Sequence, residues 1–412
     1  MRPRQDSAAA TLDTVTPPPR SVSTPLQRTS VSVLVLLCGA HFAIDLYSAA
    51  LAALQPLLVS KLGLSLAQAG LAGGLLMLSS SVAQPLYGYL ADRFRTRMFT
   101  VLSPAVAGVF LSSLGLAPSY AWILVLVFLG GIGVAAFHPQ ASSRATDGVE
   151  RRRGAWMATF ISAGTMGFAA GPILFSFLAV RGGIEQTYLA SLPGLLASAL
   201  LFFVLPDAAP RPHRSRHVDW NALRAARKPL LILFLAVFIR SIVQVTYMQL
   251  LPLYLTLERG LEVTQANLLL SGYLVAGAIG GFGGGRLADR IGGKRVIQIS
   301  MIGCVPLLAT FFLTSGWLAH VALMAGGFVL LFTIPVNVVM AQELVPGQTG
   351  TVSALMMGFA WGTAGLLFVP AVGQIGDVFS LHWVLFALLV FPLIGFWSTR
   401  LLPDRPVASG LT

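Results

Sequence analysis

Two ionisable side chains lie one helical turn apart in the first apolar run of this chain. Asp45 is near the middle of a run that begins at Val31, and His41 precedes it by four residues. Residues at this spacing share one face of a helix, so the two side chains can meet. A histidine and a carboxylate in an apolar environment can both change protonation near neutral pH, as a proton-coupled reaction requires. The pair is a candidate proton-coupling site; the alternative is a static hydrogen-bonded pair that fixes helix packing.

An opposite charge occurs at a similar depth in the seventh apolar run. Arg240 is the one basic residue deep inside such a run, where an ionised group costs about 2.5–3.5 kcal/mol. We expect Arg240 either to pair with Asp45 or to hold an anionic substrate, releasing one partner as the other binds. A permanent ion pair is the alternative. Gln244 and Tyr247 follow one and two turns later, where they line the same cavity or make ordinary interhelical hydrogen bonds.

Polar residues also mark the end of the fourth apolar run. His138 is followed there by Pro139 and Gln140, and Asn337 is a polar residue in the corresponding tenth run. We include His138 and Asn337 among the candidate site residues. The place of His138 near the end of its run favours a gate or loop role.

The composition identifies the environment that positions these residues. The 412-residue chain is 56% hydrophobic and only 10% charged, whereas soluble proteins carry about 25% charged residues. The net charge of +12 does not indicate nucleic-acid binding, because the basic residues fall in the gaps between apolar runs. Cys38 and Cys304 are too far apart in sequence to indicate a disulfide framework or a metal site. The composition predicts a protein embedded in a lipid bilayer, with no metal and no cofactor.

The apolar runs predict an all-α membrane protein with twelve transmembrane helices. A helix needs about 20 apolar residues to cross the hydrocarbon core. Runs of this kind lie at 31–58, 66–90, 98–116, 119–141, 154–180, 187–205, 229–255, 266–288, 295–314, 318–342, 349–374 and 380–402.

Lys and Arg residues indicate the orientation, because cytoplasmic loops hold an excess of them. All 27 fall on the side of the termini, apart from Lys61, Arg181, Arg259 and the intramembrane Arg240. We therefore expect a multi-pass protein of the bacterial inner membrane with both termini in the cytoplasm. The predicted segments are a disordered tail, a six-helix bundle, a cytoplasmic linker, a second six-helix bundle and a C-terminal tail, at residues 1–28, 29–205, 206–228, 229–403 and 404–412.

The two predicted bundles are related by an internal repeat at an offset of about 197 residues. The loop after the second run reads GYLADR, the loop after the eighth reads GRLADR, and the fifth and eleventh runs share a glycine and proline pattern. The matching positions are Gly88, Asp92 and Arg93 with Gly285, Asp289 and Arg290, and Gly164, Gly167 and Pro172 with Gly362, Gly365 and Pro370. Six spans separate the copies, so the repeats are parallel and the two bundles can rock about a central site.

These motifs resemble a known family of transporters. GYLADR and GRLADRIGGKR resemble the loop motif of the major facilitator superfamily. His41 with Asp45, FHPQASSRA at 137–145, the glycine-rich fifth run, and AQELVPG at 341–347 followed by GFAWGTAGLL resemble the fosmidomycin-resistance type of drug exporter. Gly171 and Pro172 match part of the exporter signature of the fifth span, but Ile173 to Ser176 replace the glycine pair that should follow.

The resemblance implies roles for several of the residues above. His138 would belong to the functional core. The aspartates and arginines of the two loop motifs would form an inner gate, with Arg144 and Glu343 as opposite charges at equivalent helix ends. The small faces of the glycines in the fifth and eleventh runs would let helices approach closely.

We predict a secondary transporter, with a monomer as the default state, that exports a small drug or anionic metabolite such as a phosphonate in exchange for protons. A proton-coupled importer of an organic acid or sugar is the nearest alternative, and a non-transporting membrane sensor is a third. An enzyme would need a nucleophile with its base or a metal constellation, and neither pattern is visible in the sequence. No nucleotide-binding loop is visible either, so an ion gradient must supply the energy.

Overall fold

The computed structural model describes residues 25–94, 96–145, 153–206 and 220–402. These residues form helices and no strand, and twelve of the helical segments are long and apolar enough to cross a membrane. We number them α1 to α12: Val31–Leu62, Leu66–Ala91, Met98–Leu116, Tyr120–Arg144, Trp156–Gly182, Ile184–Val204, Arg227–Leu257, Val263–Ile291, Gly293–Leu313, Gly316–Leu344, Thr351–Val378 and Leu381–Thr399. The predicted all-α fold with twelve spans is confirmed.

The ends of the bundle follow from the distribution of charge. We call the end that holds Arg93, Arg144, Arg290 and Arg400 the basic end, and the other end, which holds the α1–α2 turn, the opposite end. The helix of α1 extends back to Pro25, inside the predicted tail, and a short helix, Trp220–Ala225, occupies part of the predicted linker. The rest of the predicted tails and linker, at 1–24, 207–219 and 403–412, lies outside the described residues.

Local sequence explains the tight turns that join the spans. At the α1–α2 turn, Gly63 adopts a φ of 62°, a left-handed conformation that glycine reaches without steric cost. Ser65 then begins α2 with a capping box, because its Oγ accepts from Gln68 N at 3.1 Å while Ser65 N donates to Gln68 Oε1 at 3.0 Å. The turn thus provides hydrogen-bond partners for backbone N–H groups at the start of α2, which lipid could not provide.

Two wide helical turns interrupt the spans that meet between the halves. Leu78–Val82 in α2 and Leu355–Phe359 in α11 are π-helical, and such turns inside α-helices are frequent at functional sites. Just beyond the second turn, Gly362 packs on Ser81 and Val82. The irregular backbone therefore lies where the first six spans contact the last six.

The two halves are joined near the opposite end. The carboxylate of Asp377 on α11 accepts hydrogen bonds from the backbone N of Leu66 and Ala67 on α2, at 2.7 and 2.8 Å. Asn267 on α8 donates from Nδ2 to the carbonyl of Ala53 on α1 at 3.0 Å. Glycines of α2 and α11 let the same two helices pack closely, and Gly70 and Gly373 are part of this contact.

At the basic end, by contrast, the loop motifs pack within their own halves. Gly88 on α2 faces Pro139 on α4, and Gly285 on α8 faces Pro335 on α10. The basic-end segment of α2, Gln84–Phe94, packs mainly on α4. The hydrogen bonds described between the two halves, at Asp377 and Asn267, therefore lie near the opposite end.

Candidate functional site

Two helices of the first half bring three ionisable side chains together. The spacing of His41 and Asp45 puts them on one face of α1, where His41 Nε2 lies 3.3 Å from Asp45 Oδ2. From α4, His138 Nε2 lies 3.3 Å from Asp45 Oδ1. Each oxygen of the carboxylate thus faces a different imidazole ring. We call these three residues the His–Asp–His cluster.

Backbone carbonyls fix the orientation of both imidazole rings. His41 Nδ1 lies 2.8 Å from the carbonyl oxygen of Phe160 on α5, and His138 Nδ1 lies 2.8 Å from that of Val134 on α4. Since a carbonyl oxygen only accepts, each Nδ1 must carry the hydrogen and donate it. The neutral form of each ring therefore presents an unprotonated Nε2 to Asp45.

This geometry requires a positive species in the cluster when Asp45 is ionised. A neutral Nε2 lone pair facing a carboxylate oxygen repels it, whereas a proton on Nε2 turns the contact into a charge-assisted hydrogen bond. The side chains of Asp45 and His138 are 17% and 24% exposed, so the cluster is partly rather than fully buried. The cluster is therefore suited to take up and release protons.

Aromatic rings and a glycine confine the cluster. The ring of His41 stacks on Phe160 with centroids 4.1 Å apart, and Phe137 lies on another side at 5.9 Å. Gly164 on α5 packs directly against His41 and Asp45, where an added Cβ would overlap both side chains. The glycine pattern predicted to bring helices together thus also leaves the room that the cluster needs.

The second half places a buried cation at the corresponding helix. Arg240 on α7 is only 4% exposed. Its Nη1 donates to Gln244 Oε1 and its Nη2 donates to Ser241 Oγ at 3.1 Å, while Nε has no hydrogen-bond partner among the described residues. In the described part of the chain no carboxylate lies within ion-pair distance of Arg240.

The expected contact between Asp45 and Arg240 is therefore not formed in this structure, where the two histidines occupy both oxygens of Asp45. The repeat offers a physical reason. When Pro56 and Pro252 are aligned, Asp45 corresponds to Ser241, and Arg240 lies one residue away, about 100° around the helix. Asp45 and Arg240 lie at a similar depth in equivalent helices, but their side chains point in different directions.

Comparison with known proteins assigns the family. The family model of the Major Facilitator Superfamily matches residues 36–370 and 233–412. The chain belongs to the major facilitator superfamily. It is 30% identical over 394 residues to the fosmidomycin resistance protein of Escherichia coli (strain K12), an alignment that covers 93% of this chain and 96% of that protein. The resemblance to the fosmidomycin-resistance type is confirmed.

Two further comparisons place this major facilitator among transporters. It is 28% identical over 385 residues to the uncharacterized MFS-type transporter YfnC of Bacillus subtilis (strain 168), covering 90% of this chain and 93% of that protein. Its fold matches a bacterial homolog of the human lysosomal transporter Spinster, in an inward-facing and occupied conformation, with a TM-score of 0.77 and 16% identity, over 92% of this chain and 97% of that chain. Family and fold point to a membrane transporter rather than an enzyme.

Other predicted site residues of this major facilitator lie deeper in the packing. Tyr247 is fully buried and donates to the carbonyl of Leu385 on α12 at 3.1 Å, which is an interhelical bond rather than a cavity contact. Gln244 accepts from Arg240, as described above. Asn337 on α10 is 1% exposed, and neither polar atom of its amide has a hydrogen-bond partner among the described residues.

The structure also shows polar residues that sequence reasoning missed. Tyr273 on α8 is fully buried, and its hydroxyl makes no hydrogen bond within the described residues. Gln249 on α7 is equally buried and unpaired there, beside Gly73 of α2. Both residues lie in apolar runs, and a polar side chain deep in such a run could have marked them as candidate site residues.

The loop motifs of this major facilitator belong to the end that we have called the basic end. Asp289, Arg290 and Glu343 are exposed, and Arg93 is exposed at the end of α2. Arg144 donates to the carbonyl of Pro206 at 2.7 Å within its own half. The side chain of Asp92 lies outside the described residues. A gate formed from these residues stays a prediction.

The remaining glycines and prolines of the repeat lie at helix contacts. On α5, Gly167 and Gly171 pack on the backbone of α1 at Phe42 and Leu46. On α11, Gly365 packs on Met77, and Pro370 lies against Gly74 of α2. Pro172 lies within α5, directly after Gly171.

Proposed function

We propose that this protein exports a small anionic compound, such as a phosphonate drug or metabolite, in exchange for protons. The observation that carries the proposal is the His–Asp–His cluster, which is built from titratable groups alone and is only partly buried. The site is contained in one chain, so a monomer in the bacterial inner membrane is sufficient for activity.

The cluster supplies the proton-binding part of the cycle. With Asp45 ionised, protons on His41 and His138 stabilise the 3.3 Å contacts, and their loss leaves lone pairs facing the carboxylate. The cluster joins α1 to α4, and His41 also contacts α5. A change in protonation therefore alters the packing of the first half, which is the half that must rotate against the second.

Arg240 supplies the anion-binding part. A buried cation without a carboxylate partner is costly, and an anionic substrate that reaches Arg240 offsets this cost. The unpaired Nε, together with the nearby Tyr273, leaves donors for the oxygens of a phosphonate or carboxylate. Protons and substrate thus bind in different halves of the transporter, and release of one can follow binding of the other through the rocking motion.

The proposed direction of transport rests on orientation and on similarity. If the basic end faces the cytoplasm, as the charge bias predicts, then the hydrogen bonds between the halves close the side away from the cytoplasm, and substrate would enter from the cytoplasm. The similarity to a protein named for fosmidomycin resistance supports export. The loop motifs would then close the cytoplasmic side when the halves rock.

Uptake of a radiolabelled phosphonate into everted membrane vesicles tests this function. Export by proton exchange predicts accumulation when the vesicle lumen is acidic, and loss of this accumulation in Asp45→Asn. His320→Ala is the matched control, because His320 is an intramembrane histidine of α10 outside the cluster. Full pH-driven accumulation in Asp45→Asn would contradict the proton role.

The same vesicles separate the alternative functions. A proton-coupled importer predicts that preloaded substrate leaves an acidic lumen together with protons, rather than accumulating in it. A sensor predicts no pH-dependent movement of any compound tested. The sign of the substrate flux under one imposed gradient therefore distinguishes the three classes.

A further inference from the structure

We propose that His41, Asp45 and His138 form a binding site for one divalent transition-metal ion of the Zn²⁺ class. The site consists of the two imidazole Nε2 atoms and a carboxylate oxygen of Asp45, which lie within 4.8 Å of one another. Sequence spacing predicts no metal site here, because the third ligand comes from α4, far along the chain from the pair on α1.

The distances within the cluster are close to those of a bound metal. Zn²⁺ lies about 2.0–2.2 Å from His nitrogen and carboxylate oxygen, so two ligands of a tetrahedral ion lie about 3.4 Å apart. Each Nε2 lies 3.3 Å from one oxygen of Asp45, and the three ligand atoms lie within 4.8 Å of one another. An ion can therefore bind between the three side chains if the widest-spaced ligand atoms approach each other by about 1–1.5 Å.

The hydrogen bonds made by the Nδ1 atoms of the two histidines are also those that metal-binding histidines make. A ligating histidine donates its other ring N–H to a carbonyl or carboxylate, which fixes the tautomer and the ring direction. Phe160 and Val134 accept such bonds from the Nδ1 atoms of His41 and His138, both at 2.8 Å. Both Nε2 lone pairs are thereby directed at the carboxylate of Asp45.

The donor set indicates the class of ion. Two imidazole nitrogens and one carboxylate suit zinc and its neighbours in the first transition row, whereas sodium, calcium and magnesium prefer oxygen ligands alone. Three protein ligands leave at least one position for water or a second ligand. Asp45 and His138 are partly exposed, which leaves room for such a ligand.

A metal ion satisfies the same electrostatic need as protons do. It places positive charge between the Nε2 lone pairs and the ionised carboxylate, and it cannot be bound while the Nε2 atoms are protonated. A bound ion therefore excludes protons from the cluster. If the proposed function holds, a bound ion therefore blocks proton-coupled transport.

Calorimetric titration of the purified full-length chain with Zn²⁺ tests the site, without any transport measurement. The protein for this experiment is prepared without a polyhistidine tag. The reference protein, called the background protein, carries His213→Ala and His217→Ala, because the spacing of these two linker histidines could itself bind zinc. We expect one ion to bind per chain. Removal of a hydrogen-bond partner of a metal ligand lowers affinity by about 10- to 100-fold, and His138→Ala, which removes a ligand itself, should lower it by more. Absorption of Co²⁺ in the same protein reports nitrogen and oxygen coordination directly.

His320→Ala again serves as the matched control and should bind the ion like the background protein. Helical circular dichroism and a single elution peak establish that His138→Ala is folded. Absence of saturable binding in the background protein, or unchanged binding in folded His138→Ala, would overturn the site. If the ion binds yet leaves pH-driven transport unchanged, the site stands and the proton role of the cluster fails.

Discussion

His138 on α4 and Asp45 on α1 face each other across 3.3 Å, Nε2 to Oδ1. This contact joins two helices of the first half through the second oxygen of a carboxylate whose first oxygen faces His41. The position of α4 is thus tied to the charge state of α1, which gives the first half an internal response to protonation.

Replacing His138 by Gln should uncouple transport from the pH gradient. Glutamine can still donate a hydrogen bond to the Asp45 carboxylate, a bond worth about 1.5–3 kcal/mol, but it cannot take up or release a proton. We expect pH-driven accumulation to fall by about tenfold or more, while exchange of labelled for unlabelled substrate without a gradient continues. Equal loss of both activities would indicate that His138 acts only in packing.

Replacing Gly164 by Ala should disrupt the cluster without introducing any polar group. The added Cβ overlaps the side chains of His41 and Asp45, and overpacking of this kind costs about 1–3 kcal/mol. Gly39→Ala on α1 is the control, because nothing lies within 4 Å of the added atom. A lower unfolding temperature and lower transport are expected for Gly164→Ala only; matching values for both variants would contradict the close contact.

Replacing Arg240 by Met should weaken substrate binding and stabilise the protein. The change removes a buried cation that has no carboxylate partner among the described residues, and the relief of its desolvation cost offsets the loss of its hydrogen bonds to Gln244 and Ser241. We expect the unfolding temperature to stay the same or rise, while the affinity for an anionic substrate falls at least about tenfold, by the loss of a charged hydrogen bond. Strong destabilisation with unchanged affinity would show that Arg240 has a structural role.

Replacing Asp377 by Ala should shift the transporter towards a state open at the opposite end. Its carboxylate joins the halves by accepting from Leu66 and Ala67, and loss of a helix N-terminal cap costs about 0.5–2 kcal/mol. Spin labels at Ser119 and Ser315, exposed in different halves at that end, should show a larger population of long distances, by about two- to thirtyfold.

Glu258→Ala is a matched control for the loss of this cap. The Glu258 carboxylate also accepts from two backbone N–H groups, those of Leu381 and His382, at 2.5 and 2.9 Å, but it does so within the second half. Its removal should lower stability without changing the distance distribution. The same shift in both variants would mean that general destabilisation, rather than a broken link between the halves, opens that end.

Sequence alone predicts most of the fold, because a helix in lipid must be long and apolar enough to cross the hydrocarbon core, and such runs and their repeat are visible in the sequence. The pairing of His41 with Asp45 also follows from local spacing. The contact of His138 with Asp45 could not be predicted, since it depends on how α4 packs on α1. The unformed contact of Arg240 with Asp45 has the same origin, because depth in the membrane can be estimated from sequence, whereas the direction of a side chain towards another helix cannot.

The cluster belongs to the first half of the chain, and Arg240 with Tyr273 belongs to the second. On the proposed function, proton coupling and substrate recognition would therefore be carried by different halves of one polypeptide. A chimera that keeps α1 to α6 and takes α7 to α12 from a relative would retain the dependence on a pH gradient while it acquired a different cargo.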